Sequence, residues 1–330
     1  MNWPEVAPRK LLARLEPSSA YPGTLWGIVL AGGEGVRLRP LTRRVYGEER
    51  PKQYAALIGS RSLLRQTLDR LAGVIPLERT VVVTLRSHTP YFAEEFAGLP
   101  APTVLVQPED RGTAAGILFP AHWIRWRDPE AIAAVFPSDH FILEETAFMG
   151  HVGEVAVGVS RHPESIVLLG AQPTEPETEY GWIEPGEPLE WTGVGPPIHR
   201  VRRFWEKPSA ESARTCLSRG WLWNTFVLIA KTSALVEAGR QGLPQLHERL
   251  SQLGPLVDAA DEARAIQRAY ALAPRANFSR AILEPCPSGL AVSKLPPVTW
   301  CDLGTPDRVL KILRTVGSSP PWLRALNPLA

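Results

Sequence analysis

The chain predicts an α/β fold, a doubly wound and mostly parallel sheet joined to a second part built of β-ribbon and helices. Two observations lead there. Between Leu25 and Ala171, apolar runs of strand length alternate with stretches of helical spacing, the pattern of successive strand–helix–strand units. Three of these predicted strands also end on residues suited to phosphate or metal: the glycine-rich stretch after Ala31, Gln107-Pro108, and Asp139. Ligands of such sheets bind beyond the carboxyl ends of the strands, so the three ends predict one site.

Taken in order, Leu25–Ala31 is a short apolar run that stops abruptly at glycine, which reads as a buried strand. Ser62–Leu71 has apolar residues at 63, 64, 68 and 71, a helical spacing. Thr80–Thr84 is a strand, Tyr91–Phe96 a short helix, and Thr103–Gln107 a strand. Thr113–Trp126 reads as a helix despite Pro120, and Ala131–Phe136 as a strand ending at Pro137-Ser138-Asp139-His140. A helix from Glu144 to about Ser160 and a strand Ser165–Ala171 follow.

From 172 the rhythm changes. Pro173–Pro197 is rich in Pro, Gly and Glu and predicts long loops or a β-ribbon folded over the site. Val201–Trp205 alternates loosely, and a helix is expected over about 209–219. Trp221–Ala230 is strand-like, and helices fill Thr232–Gly239 and Leu246–Tyr270. Ser279–Pro285 and Ser288–Lys294 predict late strands, and Trp300–Thr305 leads into a helix at Pro306–Val316. The expected organisation is an outer extension at 1–24 with a helix at Lys10–Leu15, a main domain at 25–305 with halves 25–171 and 172–305, and a helix and tail at 306–330.

A length of 330 residues allows a full core in one large domain, and 44% hydrophobic with 21% charged residues is ordinary for a globular protein. A net charge of +2 provides no global field to recruit nucleic acid or anionic membrane, so neither is an expected partner. Cys216, Cys286 and Cys301 are scattered and odd in number, which fits neither a zinc site nor a disulfide framework. No apolar run approaches about 18 residues and the N-terminus lacks signal-peptide order, so a cytoplasmic location is expected. A homodimer stays open.

The glycine-rich stretch suggests its own chemistry. After Leu30 and Ala31, Gly32, Gly33 and Gly35 let the backbone approach a ligand and aim N–H groups into one concavity, which suits phosphate. Arg37 and Lys52 add a forked cation and a point charge. The dinucleotide fingerprint fails because Leu38 stands where its third glycine belongs, and the Gly-Lys-Ser/Thr of the ATPase loop is absent. Asp139, at a strand's carboxyl end, is either a helix N-cap or a hard oxygen ligand suited to Mg²⁺. His140 reads as scaffold, and Thr113 doubles as a helix N-cap.

The full string Leu-Ala-Gly-Gly-x-Gly-x-Arg-Leu-x-Pro-Leu-Thr (30–42), followed by Pro51-Lys52-Gln53-Tyr54, resembles the signature of sugar-phosphate nucleotidyltransferases, most of all the mannose-1-phosphate guanylyltransferase branch. Pro137-Ser138-Asp139-His140 resembles that branch's metal-aspartate motif, and Arg111-Gly112-Thr113-Ala114 its Arg-Asn-Thr-Ala base-pocket segment. Pro173–Ile183 resembles the Pro-x-x-Pro-Glu-Thr-Gly-Tyr-Gly-Tyr-Ile sugar loop, Glu206-Lys207-Pro208 its Glu-Lys-Pro, Leu222–Phe226 its Leu-Trp-Asn-Ser-Gly, and Trp300–Thr305 its late Trp-x-Asp-x-Gly. Val36, Gly112, Glu179 and Phe226 depart from the pattern, which has Thr or Ser, Asn, Gly and Gly there.

The resemblance implies a Rossmann-like nucleotidyltransferase fold and a set of roles. Leu30, Ala31, Gly32, Gly33, Gly35, Gln107, Gly112 and Thr113 would bind the nucleotide, and Arg37, Lys52 and Asp139 would act in catalysis. Glu177, Tyr180, Gly181, Glu206, Lys207 and Asn224 would bind the sugar phosphate, and Asp302 would join Asp139 on Mg²⁺. The implied reaction joins GTP and a hexose 1-phosphate, mannose 1-phosphate favoured, into a GDP-sugar and pyrophosphate. The same chemistry on another sugar or base, and a non-catalytic nucleotide-sugar regulator, are the alternatives. The C-terminal barrel of the family's longer members is not expected, since only 25 residues follow Thr305.

Overall fold

The computed structural model describes residues 23–190, 195–256 and 260–326. The expected helix at Lys10–Leu15 and nearly all of the 1–24 extension lie outside them. Among the described residues the strands are β1 (Leu25–Leu30), β2 (Thr80–Leu85), β3 (Thr103–Gln107), β4 (Ile132–Pro137), β5 (Phe141–Ile142), β6 (Ile166–Ala171), β7 (Gly181–Pro188), β8 (Ile198–Glu206), β9 (Leu222–Lys231), β10 (Leu290–Lys294) and β11 (Trp300–Cys301). One sheet has the order β3-β2-β1-β4-β9-β6-β10-β8-β7, and β5 pairs with β11 apart from it.

Strands buried on both faces read as unbroken apolar runs, because helices cover the sheet on each side. Alternate residues therefore feed two cores. Ile28, Val83, Val135 and Leu168 pack with Ala115, Leu118 and Phe119 of the helix Gly112–Arg127. Val29, Val82, Phe136 and Leu169 pack on the other face with Leu64 and Leu68 of the helix Leu63–Leu71 and with Phe148, Val152 and Val155 of the helix Glu145–Arg161.

The parallel character holds for the strands of the large sheet that precede residue 172. β1 is parallel to β2 and β4, and β2 to β3. β6 shares that direction, because both β4 and β6 are antiparallel to β9. The reversed strands β8 and β9 come from the second half, which closes around β6 by the parallel pair β6–β10 and the antiparallel pair β10–β8. Both halves thus share one sheet.

β9 positions the site. Leu228–Lys231 pair with β4, whereas Leu222 and Trp223 pair with β7, which takes up the row where β4 stops. Between these two stretches Asn224 pairs with Gly170 of β6, past a register shift between Leu168 and Gly170. The crevice beyond β4 therefore opens beside the start of β7.

Three expectations change. Leu246–Tyr270 is not continuous helix: Pro244–Ser251 and Glu262–Leu272 are separate, parted around Gly254-Pro255, where Gly254 packs on the Trp126 indole. Ser279–Pro285 is no strand but a wide helical turn, Ser279–Leu283, closed by the Glu284 N–H on the Ser279 carbonyl at 2.8 Å. The Asn277 side chain accepts the Arg280 N–H and starts that turn, which buries Phe278, Ile282 and Leu283 at helical spacing. Finally, the helix Pro306–Thr315 is no appendage. Its Thr305 cap accepts the Arg308 N–H, and it buries Val309, Ile312 and Leu313 against Leu38, Leu57, Phe141 and Leu303.

Leu313→Ala should therefore cost about 2–5 kcal/mol, the range for a buried Leu truncation. Urea denaturation measures it, and a loss below about 0.5 kcal/mol would return the helix to the periphery.

Candidate active site

Beyond β1 the chain turns through Gly35, whose left-handed φ of 60° suits glycine, and a Cβ there would stand 3.1 Å from the Lys52 backbone nitrogen. Buried Gln53 secures this turn by donating from Nε2 to the carbonyls of Ala31 (2.8 Å) and Gly33 (2.9 Å). Gly32 lies close under Gln107, with 3.2 Å from a Cβ position to Nε2. Together Leu30, Gly32, Gly33, Val36, Gln107, Gly112, Thr113 and Asn277 line a cavity of about 510 Å³. That volume suits a small-molecule ligand.

Gly112 has a φ of 81° and its backbone packs on the Ala276 carbonyl, leaving no room for a Cβ. A side chain in this pocket wall, such as the Asn of the resembled segment, does not fit the packing. Asp110 accepts the Gly112 N–H at 2.7 Å and pairs with Arg275. The helix begins at Gly112, so Thr113 is not its N-cap; its hydroxyl instead accepts the Phe278 N–H at 2.9 Å. That bond ties the segment that carries Ala276 and Asn277 to the start of the helix, both at the cavity wall.

Lys52 joins the two acidic residues expected at the metal. Its ammonium stands 3.1 Å from Asp139 Oδ2 and donates to the Asp302 carbonyl at 2.8 Å. The Asp302 carboxylate accepts from Tyr180 OH (2.8 Å), from the Gly304 N–H (3.0 Å) and from Arg308 Nη1 on both oxygens (2.8 and 2.9 Å). Arg308 also pairs with Glu177 and lies over the Tyr180 ring at 4.6 Å. A Cβ on Gly304 would meet Arg37 Nη2 and Arg308 Nη1, each at 3.0 Å, so this glycine admits Arg37 to the same corner.

The electrostatics follow from burial. Burial alone would raise the Asp302 carboxyl, but the charges of His140, Lys52 and Arg308 and the Tyr180 hydrogen bond outweigh it and hold it below the usual range. Burial also pushes His140 down to about 4, so near neutral pH the standing contributors are Lys52, Arg308 and Tyr180. Burial, then the Asp302 charge, pushes the Tyr180 hydroxyl up, which keeps it a donor. Neutral His140 accepts from Trp300 Nε1 at 3.3 Å, the scaffold role expected of it.

At the start of β7, Gly181 allows three groups to converge: a Cβ there would stand 2.9 Å from Phe204, 3.0 Å from Glu206 Oε2 and 3.2 Å from Asn224 Cβ. Phe204 belongs to the same core as Val83, which lines the glycine-loop cavity, so both clusters lie on one face of the sheet. Burial raises the Glu206 carboxyl, with Lys207 opposing. Among the described residues the non-glycine positions with left-handed φ are Lys207 (51°), Phe226 (60°) and Leu303 (48°), each within two positions of an expected site residue. At Phe226 this conformation accounts for the glycine of the resembled motif.

The Nucleotidyl transferase family matches residues 26–319, from β1 through the helix that carries Arg308. The chain belongs to that family. It is 31% identical over 290 residues to the xanthan biosynthesis protein XanB of Xanthomonas campestris, covering 86% of this chain and 58% of that protein. It is 29% identical over 289 residues to a mannose-1-phosphate guanylyltransferase of Sinorhizobium fredii, covering 86% and 54%. The chain thus spans little more than half the length of these relatives. A solved structure from Thermus thermophilus, described as a mannose-1-phosphate geranyltransferase, superposes with a TM-score of 0.72 at 29% identity, covering 90% of this chain and 80% of that one.

In this nucleotidyl transferase Leu30, Gly32, Gly33, Gln107, Gly112 and Thr113 line one cavity, Lys52 joins Asp139 to Asp302, and Gly181 lies against Glu206 and Asn224. The Tyr180 ring packs against Trp223 and Trp300 on the opposite face, beside a second cavity of about 690 Å³. Glu177 is held by Arg308 and by the Glu179 N–H at 2.9 Å. Both residues therefore brace the site rather than line the Gly181 cluster. Asp302 likewise has most of its carboxylate engaged, and no group of three or more His, Cys, Asp or Glu side chains among the described residues is set to hold a metal. Sequence reasoning missed Arg308, which has no motif of its own, and gave Gln53 no role although it follows Lys52 directly.

Arg308 and Asp302 are only 16% and 14% exposed, so removing one partner leaves a charge that water reaches poorly. Arg308→Met should cost about 3–5 kcal/mol in urea denaturation. Arg308→Lys should recover only part, because an ammonium cannot span two carboxylates as a guanidinium does. A loss within about 0.5 kcal/mol for Arg308→Met would reduce the pair to a surface contact.

Proposed function

We propose that this nucleotidyl transferase joins GTP to a hexose 1-phosphate, mannose 1-phosphate most of all, and releases pyrophosphate. The observation that supports the proposal most is Lys52, whose ammonium joins Asp139 to Asp302 while its backbone packs against Gly35 of the glycine loop, and Asp302 in turn accepts from Tyr180, the neighbour of Gly181. A nucleotide in the glycine-loop cavity and a sugar at the Gly181–Glu206–Asn224 cluster would meet phosphate to phosphate near that ammonium. The names of the relatives support the choice of sugar and base.

The nucleophile is an oxygen of the sugar phosphate, whose second pKa is about 6, so it is already ionised and needs no general base. The α-phosphorus is attacked in line, and pyrophosphate carries away the electron pair of the broken bond. The obstacle is repulsion between two polyanions, so catalysis consists of positioning and charge neutralisation. In this reading Arg37 and Lys52 face the triphosphate and Lys207 the sugar phosphate. The Lys207 ammonium is aimed by a backbone fixed through its N–H on the Tyr180 carbonyl at 3.2 Å.

Mg²⁺ fits this donor set. Among the described residues Asp139 Oδ1 has only the His140 ring at 3.8 Å, and Asp302 Oδ2 accepts from Arg308 alone. One lightly engaged oxygen on each carboxylate, with phosphate oxygens and water, is the coordination Mg²⁺ favours. Bound there it would neutralise triphosphate charge. A cytoplasmic location belongs to the same reading, since both substrates are phosphorylated metabolites; among the described residues no helix is long and apolar enough to cross a membrane.

Initial rates of pyrophosphate release with GTP, ATP, UTP and dTTP against mannose and glucose 1-phosphates should favour the GTP–mannose 1-phosphate pair. A clear preference for UTP or dTTP would overturn the base assignment. Lys207→Met should raise KM for the sugar phosphate far more than KM for the nucleotide, and equal damage to both would remove Lys207 from its role.

A further inference from the structure

Two cations meant for two different phosphates would repel each other if they faced each other bare. Here one carboxylate oxygen stands between them: Glu179 Oε2 lies 2.9 Å from Arg37 Nη1 and 3.5 Å from Lys207 Nζ. We propose that Glu179 is an internal stand-in for substrate phosphate, a displaceable anion that occupies the seat between Arg37 and Lys207 and must be exchanged for each incoming phosphate. The proposal rests on the reading above in which both cations bind phosphate.

The surroundings of Glu179 separate a fixed backbone from a loose side chain. Its N–H is bound by Glu177, which Arg308 and the Trp182 indole N–H hold in turn. The next residue, Tyr180, is fixed by Asp302 through its hydroxyl and by the Lys207 N–H through its carbonyl. The Glu179 carboxylate, by contrast, is 45% exposed, and its ion pairs are with Arg37 (49%) and Lys207 (43%). Release therefore takes a side-chain rotation and no movement of the loop.

The relative strengths also allow exchange. Ion pairs this exposed are weak and screened by salt. A phosphate brings up to two charges and three acceptor oxygens, and it can take an arginine fork in two parallel bonds, so it should win against one carboxylate. The backbone does not require glycine here, since residue 179 is not among the left-handed positions. The sugar-loop pattern has glycine at this point, and this chain has added a charge there. The consequence is quantitative. If the seat is mostly filled by Glu179, every anion that uses it binds more weakly by one common factor, the fraction of time the seat is open.

Calorimetric titration with inorganic phosphate at low salt tests this in the full chain, without any turnover. Glu179→Gln should bind phosphate about two- to fivefold more tightly than the unaltered protein, the range that an exposed pair can account for. The gain should fade as NaCl rises toward about 0.5 M. It should also be smaller when Lys207→Met removes one of the two cations. A purely structural latch would instead show unchanged or weaker phosphate binding with a lowered urea midpoint. Unchanged affinity, weaker affinity, or no phosphate uptake by either protein overturns the proposal. A protein that shows the expected tightening yet releases pyrophosphate from no substrate pair would refute the transfer reading and leave this one standing.

Discussion

The site depends on keeping one buried carboxylate, that of Asp302, charged and still. A carboxylate withdrawn from water must be paired and hydrogen-bonded or it takes up a proton. Asp302 meets that demand with Arg308, Tyr180 and the Gly304 N–H, while its carbonyl receives Lys52. Lys52, Tyr180 and Arg308 lie far apart in the chain, so satisfying one residue fixes the start of β7, the turn at Lys52–Tyr54 and the helix Pro306–Thr315 against one another. Lys52 then extends the network to Asp139. The site's charges and its tertiary structure are one arrangement.

The same arrangement explains where the backbone is strained. Left-handed φ at Lys207, Phe226 and Leu303 costs free energy at each residue and persists only where the surroundings dictate it. Leu303 lets the chain turn so that the Gly304 N–H reaches Asp302. Phe226 bends β9 between its two partners, β4 and β7, and the Asn224 side chain accepts the Phe226 N–H at 3.1 Å across the bend. Lys207 leaves β8 with its N–H on the Tyr180 carbonyl. Each strained residue aims a neighbour into the crevice, which gives the strain a local purpose.

Much of this was legible in the sequence. The strands before 172 were readable because burial on both faces leaves unbroken apolar runs, and the turn after β1 was readable because three glycines in four positions end such a run. The partners of charges were not. Nothing near Glu179 indicates that it pairs with Arg37, 142 positions away, or near Asp302 that Arg308 will also take Glu177. Such choices are made by the folded chain. Ser279–Pro285 was misread for a different reason: a short apolar run fits a strand or a buried turn equally well, and Asn277 decided it by capping. The unity of the sheet was equally hidden, since β9 enters between β4 and β6 only through long-range pairing.

The proposed function has Asp139 and Asp302 act together on the phosphates through one shared metal ion, and that is its central claim. Kinetics of Asp139→Asn, Asp302→Asn and the double variant across a Mg²⁺ titration test it most directly. If both carboxylates serve one ion, each single variant should lose most activity, and the double should be much less than multiplicatively worse. Fully multiplicative losses, or an Asp302→Asn enzyme with an unaltered Mg²⁺ dependence, would contradict it.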